Sequence, residues 1–315
     1  MPSSTVLTFT DPDSYTASLH GVTSQLTMLG RGHFAAKHVR VHLHRLSMRR
    51  LSDNLPRIAH SVDAAGLATI AFRTQAGPSL RRSGVEMLPS NMIRRGDAES
   101  YFQRSDGFAC FGSISLPVED MVSLGEAVAG CDLKPPRDAV IITPSALALG
   151  KFQRLHAAAG TLAEDASEII AHPEAARGLE QALIHALLGC LGMEQADPDR
   201  SALRQHTLIM RRFHRAIEEH LDDAVYIPEL CVELGVSERT LRVCCAEQLG
   251  VGPKRYLLLR RMRLARQALG LGVLDATTVT EIATRYGFWQ FGRFAGEYKA
   301  LFGESPSTTL ARAPE

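Results

Sequence analysis

The chain has 315 residues, 45% of them apolar, with 35 basic side chains against 34 acidic ones and a net charge of +1. At about 150 residues per domain, that length suits two domains and a connecting segment. No uninterrupted apolar run approaches the roughly 20 residues of a membrane-spanning helix, so no membrane partner is expected. Near-neutral charge leaves a nucleic-acid partner open, because a DNA binder needs only a local basic face. The opening MPSSTVLTFTDPDSY has neither a basic nor an apolar segment of signal type, and a cytoplasmic location is expected. Cys110, Cys131, Cys190, Cys231, Cys244 and Cys245 form no CxxC pair, which argues for reduced thiols over disulfides or structural zinc.

From Thr5 to about Pro144 the sequence reads as β structure. Runs such as Gln25–Leu29, Val39–Met48, Leu67–Phe72 and Phe108–Leu116 alternate with Gly, Pro, Asp and Asn punctuation, which predicts a small antiparallel barrel or sandwich. Within Val39–Met48 the apolar positions are odd up to Leu43 and even from Leu46. Strands have period two, so this slip predicts a bulge or bend near His44 and Arg45.

The pattern turns helical from about Ser145 to Met193. Leu179, Leu183, Ala186, Leu187 and Cys190 fall on one helical stripe, which fits either core packing or a dimer seam. Gln195–Asp199 is the expected hinge. The predicted divisions are 1–145 for the β domain, 146–198 for a helical linker or dimerisation segment, and 199–315 for a C-terminal helical domain.

An amphipathic helix, His206–Leu221, opens that last domain. Pro228 suits a first helical turn, Gly235 the turn after it, and Ser237 the N-cap of a helix over Glu238–Leu249. Two helices about a Gly-containing turn make a helix-turn-helix. Cys244 and Cys245 lie on its second helix, where one buried thiol and one incidental thiol are expected, a redox switch being the alternative. A long helix from about Lys254 to Leu271, with Leu258, Met262, Ala265 and Leu269 inward, leads to a second such unit over Ile282–Pro306. There Gly287 makes the turn, and Phe294, Tyr298 and Leu301 form the buried stripe opposite Gln290, Arg293 and Lys299.

This double unit, closing on Phe302-Gly303-Glu304-Ser305-Pro306, resembles the DNA-binding domain of the AraC/XylS family of bacterial transcription regulators. The resemblance covers about the last third of the chain. It implies an α+β protein of two domains: an N-terminal, cupin-like antiparallel β barrel that binds an effector, and an all-α domain with two helix-turn-helix motifs joined by a long helix. It also implies operator DNA as partner, a homodimer, RNA polymerase contact if the protein is an activator, and no enzymatic activity. No catalytic residue, metal ligand or cofactor is assigned.

Ser237, Arg239, Thr240 and Arg242 are the expected DNA contacts of the first unit, and Gln290, Phe291, Arg293 and Lys299 those of the second. Arginine forks suit guanine O6 and N7. Gly292, Ala295 and Gly296 replace the longer polar side chains common in the family, which predicts base reading mostly by the first unit and phosphate contact through Arg293 and Lys299.

Three readings compete for the β domain. His42-x-His44 would share a strand face and suits a metal-dependent cupin enzyme, but the carboxylate such a site needs is missing before Asp53. Arg45-x-x-x-Arg49 resembles the RxxxR element with which PilZ domains hold cyclic di-GMP, a use that fits guanidinium forks. Thr16-Ala17-Ser18-Leu19-His20-Gly21 matches the companion PilZ element in Ser18 and Gly21, with Thr16 in place of the acid or amide and with the order of the two elements reversed. In the third reading the arginines are surface charges and the domain binds another small molecule, or none.

Overall fold

The computed structural model describes the chain except residues 97–98, 126–132, 192–200, 220–226, 272–277, 289 and 313–315, and the side chains of 201–204. Its first half contains β1 (Ser3–Phe9), α1 (Pro12–Ala17), β2 (Val22–Met28), β3 (Ala36–His42), β4 (Ser47–Asp53), β5 (Arg57–Asp63), β6 (Leu67–Arg73), β7 (Leu80–Arg82), β8 (Val85–Glu86), β9 (Met92–Arg94), β10 (Ser100–Ser105), β11 (Ala109–Pro117), α2 (Val118–Leu124) and β12 (Val140–Ile142). The strands form a seven-stranded sheet, β1-β3-β4-β11-β6-β9-β12, and a five-stranded sheet, β2-β5-β10-β7-β8. Every described pairing is antiparallel. The two sheets are open, so of the two expected arrangements the strands adopt the sandwich and not a closed barrel.

The irregular period in Val39–Met48 has a simpler cause than a bulge. Residues 39–48 are the ends of β3 and β4 joined by a tight turn, with Leu43 N–H donating to the Leu46 carbonyl at 2.9 Å. His44 and Arg45 sit at its tip. A reversal shifts the apolar phase just as an inserted residue would, because each strand starts its own alternation.

Alternation along the strands then sorts the side chains into layers. From the seven-stranded sheet, Val39, Val41, Met48, Ile70, Phe72 and Ile114 face outward and pack beneath α3 (Ala146–Asp165), α4 (Ser167–Ala171) and α5 (Pro173–Leu191). Between the sheets, Ala36, Leu51 and Phe111 meet Leu26, Met28 and Ala59. The α5 stripe Leu183, Ala186, Leu187 and Cys190 is buried in this chain's own core, with Leu179 partly so.

The second half comprises α6 (Ser201–Glu219), α7 (Ile227–Leu234), α8 (Glu238–Leu249), α9 (Pro253–Leu271), α10 (Val279–Arg285), α11 (Phe291–Phe302) and α12 (Pro306–Ala311). Its helices build two small cores. Met210, Phe213, Ile217, Leu230, Leu241, Leu249 and Tyr256 make the first, and Met262, Ala265, Leu269, Ile282, Phe294 and Tyr298 the second. The first core also takes in Ile58 and Phe102 from the outer face of the five-stranded sheet. The helical half is therefore docked on that sheet. The α+β reading, with β structure first and helices after, agrees with this architecture. The expected hinge Gln195–Asp199 lies outside the described residues, as does Cys131.

Cys244 and Cys245 are both fully buried, not one of two as expected. A turn of α8 presents each of these neighbours to a different part of the core, Cys245 lying 3.9 Å from the Met210 sulfur. Burial raises both thiol pKa values, which disfavours the reactive thiolate. Among the described residues no helix is long and apolar enough to cross a membrane.

Candidate nucleic-acid interface and effector region

In the first unit Gly235 adopts φ +66°, a conformation that costs glycine little, and turns the chain between α7 and α8. Ser237 follows as N-cap, its hydroxyl accepting from Thr240 N–H at 3.1 Å. The cap fixes where α8 begins and so which residues stand at its exposed N-terminal face. Arg239, Arg242 and Val243 are exposed there, while Leu241 and Cys244 between them point into the core. Arg242 is tied to Glu238 at 2.6 Å, a solvent-exposed helical pair that a DNA base or phosphate can displace at small cost.

The second unit repeats the plan. Thr278 and Glu281 form a capping box at the start of α10, which holds the Glu281 carboxyl below its usual range. Gly287, at φ +75°, makes the turn. Phe294 and Tyr298 are buried as expected, leaving Gln290, Phe291, Arg293 and Lys299 exposed. Gln290 is the N-cap residue of α11, yet its side chain makes no capping hydrogen bond and stays available. Arg293 pairs with Glu297 at 2.8 Å. A groove beside this face is walled by Arg261, Phe288, Gln290, Arg293 and Glu297. Between the units, the 19 residues of α9 span about 28 Å at 1.5 Å per residue, of the order of one turn of B-DNA, about 34 Å.

The β-domain candidates divide into two places. Arg45, at the tip of the β3–β4 turn, faces the helices, with its guanidinium 3.0 Å from Asp120 and 3.9 Å from Glu180. The buried Glu180 carboxylate also accepts from the Arg45 and Leu46 backbone N–H groups. Arg49 lies on the opposite, inward face of β4 and donates to the His20 carbonyl beside Gly21. Ser18 lies in the same region, its hydroxyl donating to the Tyr15 carbonyl at 2.7 Å and meeting His38 Nδ1 at 3.0 Å. Thr16 turns back to the Asp13 carbonyl of its own helix. The structure thus brings Arg49, Ser18 and Gly21 together and leaves Arg45 among carboxylates.

His42 and His44 do not share a strand face: His42 ends β3 and meets Ser47, whereas His44 is in the turn and meets the Pro173 carbonyl. Sequence reasoning missed a basic interior. Arg57, Arg82 and Arg95 are buried between the sheets with Asp53, Asp63 and Glu99. It also missed His60 and His214, which stack across the junction between sheet and helices. Neither is readable without strand pairing, because each residue alone looks like a surface charge or a stray histidine.

Residues 230–312 match the family described as a helix-turn-helix domain. A probable thc operon regulatory protein of Rhodococcus erythropolis is 42% identical over 98 residues, 31% of this chain and 30% of that protein. XylDLEGF operon transcriptional activator 3 of Pseudomonas putida is 31% identical over 122 residues, 39% of this chain and 37% of that protein. The chain therefore spans about a third of the length of these curated relatives. Among solved structures, a probable AraC family transcriptional regulator from Rhodopseudomonas palustris is 30% identical, with 34% of this chain and 99% of that chain covered and a TM-score of 0.32. The AraC-like transcriptional activator CuxR is 16% identical over 85% of this chain and 95% of its own, with a TM-score of 0.41. By the paired helix-turn-helix units and the sequence they share with these operon regulators, the C-terminal domain, residues 230–312, is a DNA-binding domain of the AraC/XylS type.

Proposed function

We propose that this chain is a sequence-specific DNA-binding activator of transcription, not an enzyme, and that its β domain senses a small effector, with cyclic di-GMP the first candidate. The observation that carries the DNA reading is the placement of Arg239 and Arg242 at the exposed, capped start of α8. Two copies would read paired half-sites, and an activator would also contact RNA polymerase.

The two units have different tasks in this reading. On fragments selected from a random DNA pool, Arg242→Ala is expected to weaken binding by about 1–3 kcal/mol and relax base preference. Arg293→Ala is expected to weaken binding to all sequences alike and to reduce the salt slope by about one. Salt titrations of both variants on matched and scrambled fragments separate these effects. Equal losses with equal slopes would defeat the division into base and phosphate contacts.

The effector reading is supported by Arg49 lying beside Gly21 and Ser18, where guanidinium, hydroxyl and an open backbone can meet a phosphate or a guanine edge. Calorimetric titration with cyclic di-GMP tests it. Micromolar binding that Arg49→Ala removes is the expected result, with Arg45→Ala weakening it less because Asp120 and Glu180 already hold that side chain. Absence of binding would return the domain to another small molecule and leave the DNA reading untouched.

A further inference from the structure

Strand register places Arg40 of β3 directly opposite Arg49 of β4. The same row continues to Thr5 of β1, opposite Arg40, and to Ser113 of β11, opposite Arg49. Like charges directly opposite in an antiparallel pair destabilise it. Elsewhere in the sandwich Arg57 has Asp53, Arg82 has Glu99 and Arg95 has Asp63, while the buried Arg73 is held by the Met87 and Pro78 carbonyls and faces no second arginine across a strand pair. Among the described residues no carboxylate forms an ion pair with Arg40 or Arg49.

The segment between α1 and β2 closes over this row. The His20 carbonyl accepts from Arg49, and His20 Nδ1 lies 2.9 Å from Arg40 Nη1. Gly21, at φ +74°, stands so near the Arg49 guanidinium that the first carbon of any side chain there would already touch it, at 3.4 Å. Below it, the Ser18 hydroxyl gives its hydrogen to the Tyr15 carbonyl, so His38 Nδ1–H must donate to Ser18. His38 Nε2 is then left buried with no partner, in a side chain only 2% exposed. The concentration of positive charge is felt by its members. Burial, then the neighbouring Arg95 charge, pushes Arg49 down to about 10, against an opposing pull from Tyr101 and Asp63. Burial, followed by Arg49, Arg40 and His20, pulls His38 down to about 4.

We infer that the row Thr5, Arg40, Arg49 and Ser113, closed by His20 and Gly21, is an oxyanion site that takes a phosphate group of a small ligand, with Arg40 and not Arg45 as the second guanidinium. Two forked donors flanked by two hydroxyls suit a tetrahedral oxyanion, and the anion supplies the negative charge that the like-charge pair lacks. This rests on the reading of the β domain as an effector sensor and names both the chemistry and the partner residue of its site. Cyclic di-GMP and a simple phosphate present the same group to it.

The test uses the full chain at constant ionic strength, with inorganic pyrophosphate and cyclic di-GMP as separate probes, read by calorimetry and by thermal shift. Pyrophosphate is expected to bind and to raise the melting temperature above that in matched chloride. Arg40→Gln and Arg49→Gln should each weaken binding at least about tenfold, a typical effect of losing one charge-assisted pair. Arg45→Gln should change it less than about twofold, being outside the row. Unliganded Arg40→Gln should melt no lower than the parent, because it relieves repulsion; a merely structural arginine would lower it. No response to either probe, or a loss with Arg45→Gln equal to that with Arg40→Gln, overturns the assignment. If cyclic di-GMP binds and needs Arg49 but not Arg40, the effector reading survives and this one falls. If pyrophosphate binds through Arg40 and cyclic di-GMP does not bind, the reverse holds.

Discussion

Lowering the pH of the intact protein from about 7.5 to 5 is expected to loosen the helical half from the five-stranded sheet, by about 4 kcal/mol at the limit. The cause is the pair of imidazoles between them. His60 stands on the outer face of β5 and His214 on α6, their rings stacked with centroids 3.1 Å apart. Both are 7% exposed. Phe102 packs against both rings, and Tyr256 packs against Phe102. The polar and charged groups around them are Ser100 on β10, Gln25 on β2, Glu218 on α6, and Arg260 and Arg263 on α9. Burial is the main force lowering His60 to about 3, with His214 adding to it and Glu218 opposing. Burial, then Arg260 and Arg263, brings His214 to about 3. Free of the seam, a histidine titrates near 6.5.

The docked state thus binds fewer protons than the separated one. Its stability is complete above about pH 6.5 and falls as pH drops from there toward 3. At pH 5 each ring has lost about 1.5 pH units of protonation free energy, roughly 2 kcal/mol. Asp13, at the edge of the same junction, works the other way. Burial raises its pKa ahead of the lowering by Arg263, so the docked state keeps that proton more readily and offsets part of the loss. Hydrogen exchange of β5, β10 and α6 across pH 5–7.5 reads the opening. In the His60→Phe, His214→Phe double variant the rings still stack but cannot charge. An unchanged pH profile in that variant would show that the histidines are not the cause.

What was legible in the sequence followed a local signal. Gly235, Ser237, Gly287 and the Phe294–Tyr298 stripe act within a few residues of themselves, so turn, cap and buried face could be read from spacing alone. Arg45 and Arg49 show the limit. Four residues apart in one strand they would share a face, but the reversal at His44 and Arg45 puts one in the helix layer and the other between the sheets. Arg40 gains its meaning only from lying opposite Arg49 across a strand pair. The sequence β5, Arg-Ile-Ala-His-Ser-Val-Asp, carries polar residues on both faces because neither face meets water for most of its length. One faces a charged interior and the other a docked helix. An alternation rule that assumes one wet face cannot sort such a strand.

The charged interior carries the other large expectation: Asp53→Asn should destabilise the β domain by about 3–5 kcal/mol, a large part of the 5–15 kcal/mol that holds an ordinary domain folded. Arg57 is 1% exposed and Asp53 3%. Their bond is bidentate, Nε to Oδ1 at 3.0 Å and Nη2 to Oδ2 at 2.7 Å, while the remaining Nη1 reaches Gln103 at 3.4 Å. Burial acts to discharge the guanidinium, but the Asp53 carboxylate more than offsets it and keeps Arg57 charged. Removing the carboxylate's charge leaves a cation with no counter-ion in a layer that water does not reach. Replacing both members costs far less, since neither is then left unpaired. Arg57→Met with Asp53→Leu, placed among Leu51, Ala59 and Phe111, should recover most of the loss. Calorimetric unfolding of the parent, both single variants and the double variant closes the cycle. A melting temperature about 10 °C lower in Asp53→Asn, restored in the double variant, is the expected pattern. Single variants within about 0.5 kcal/mol of the parent would mean that water enters the sandwich and solvates Arg57.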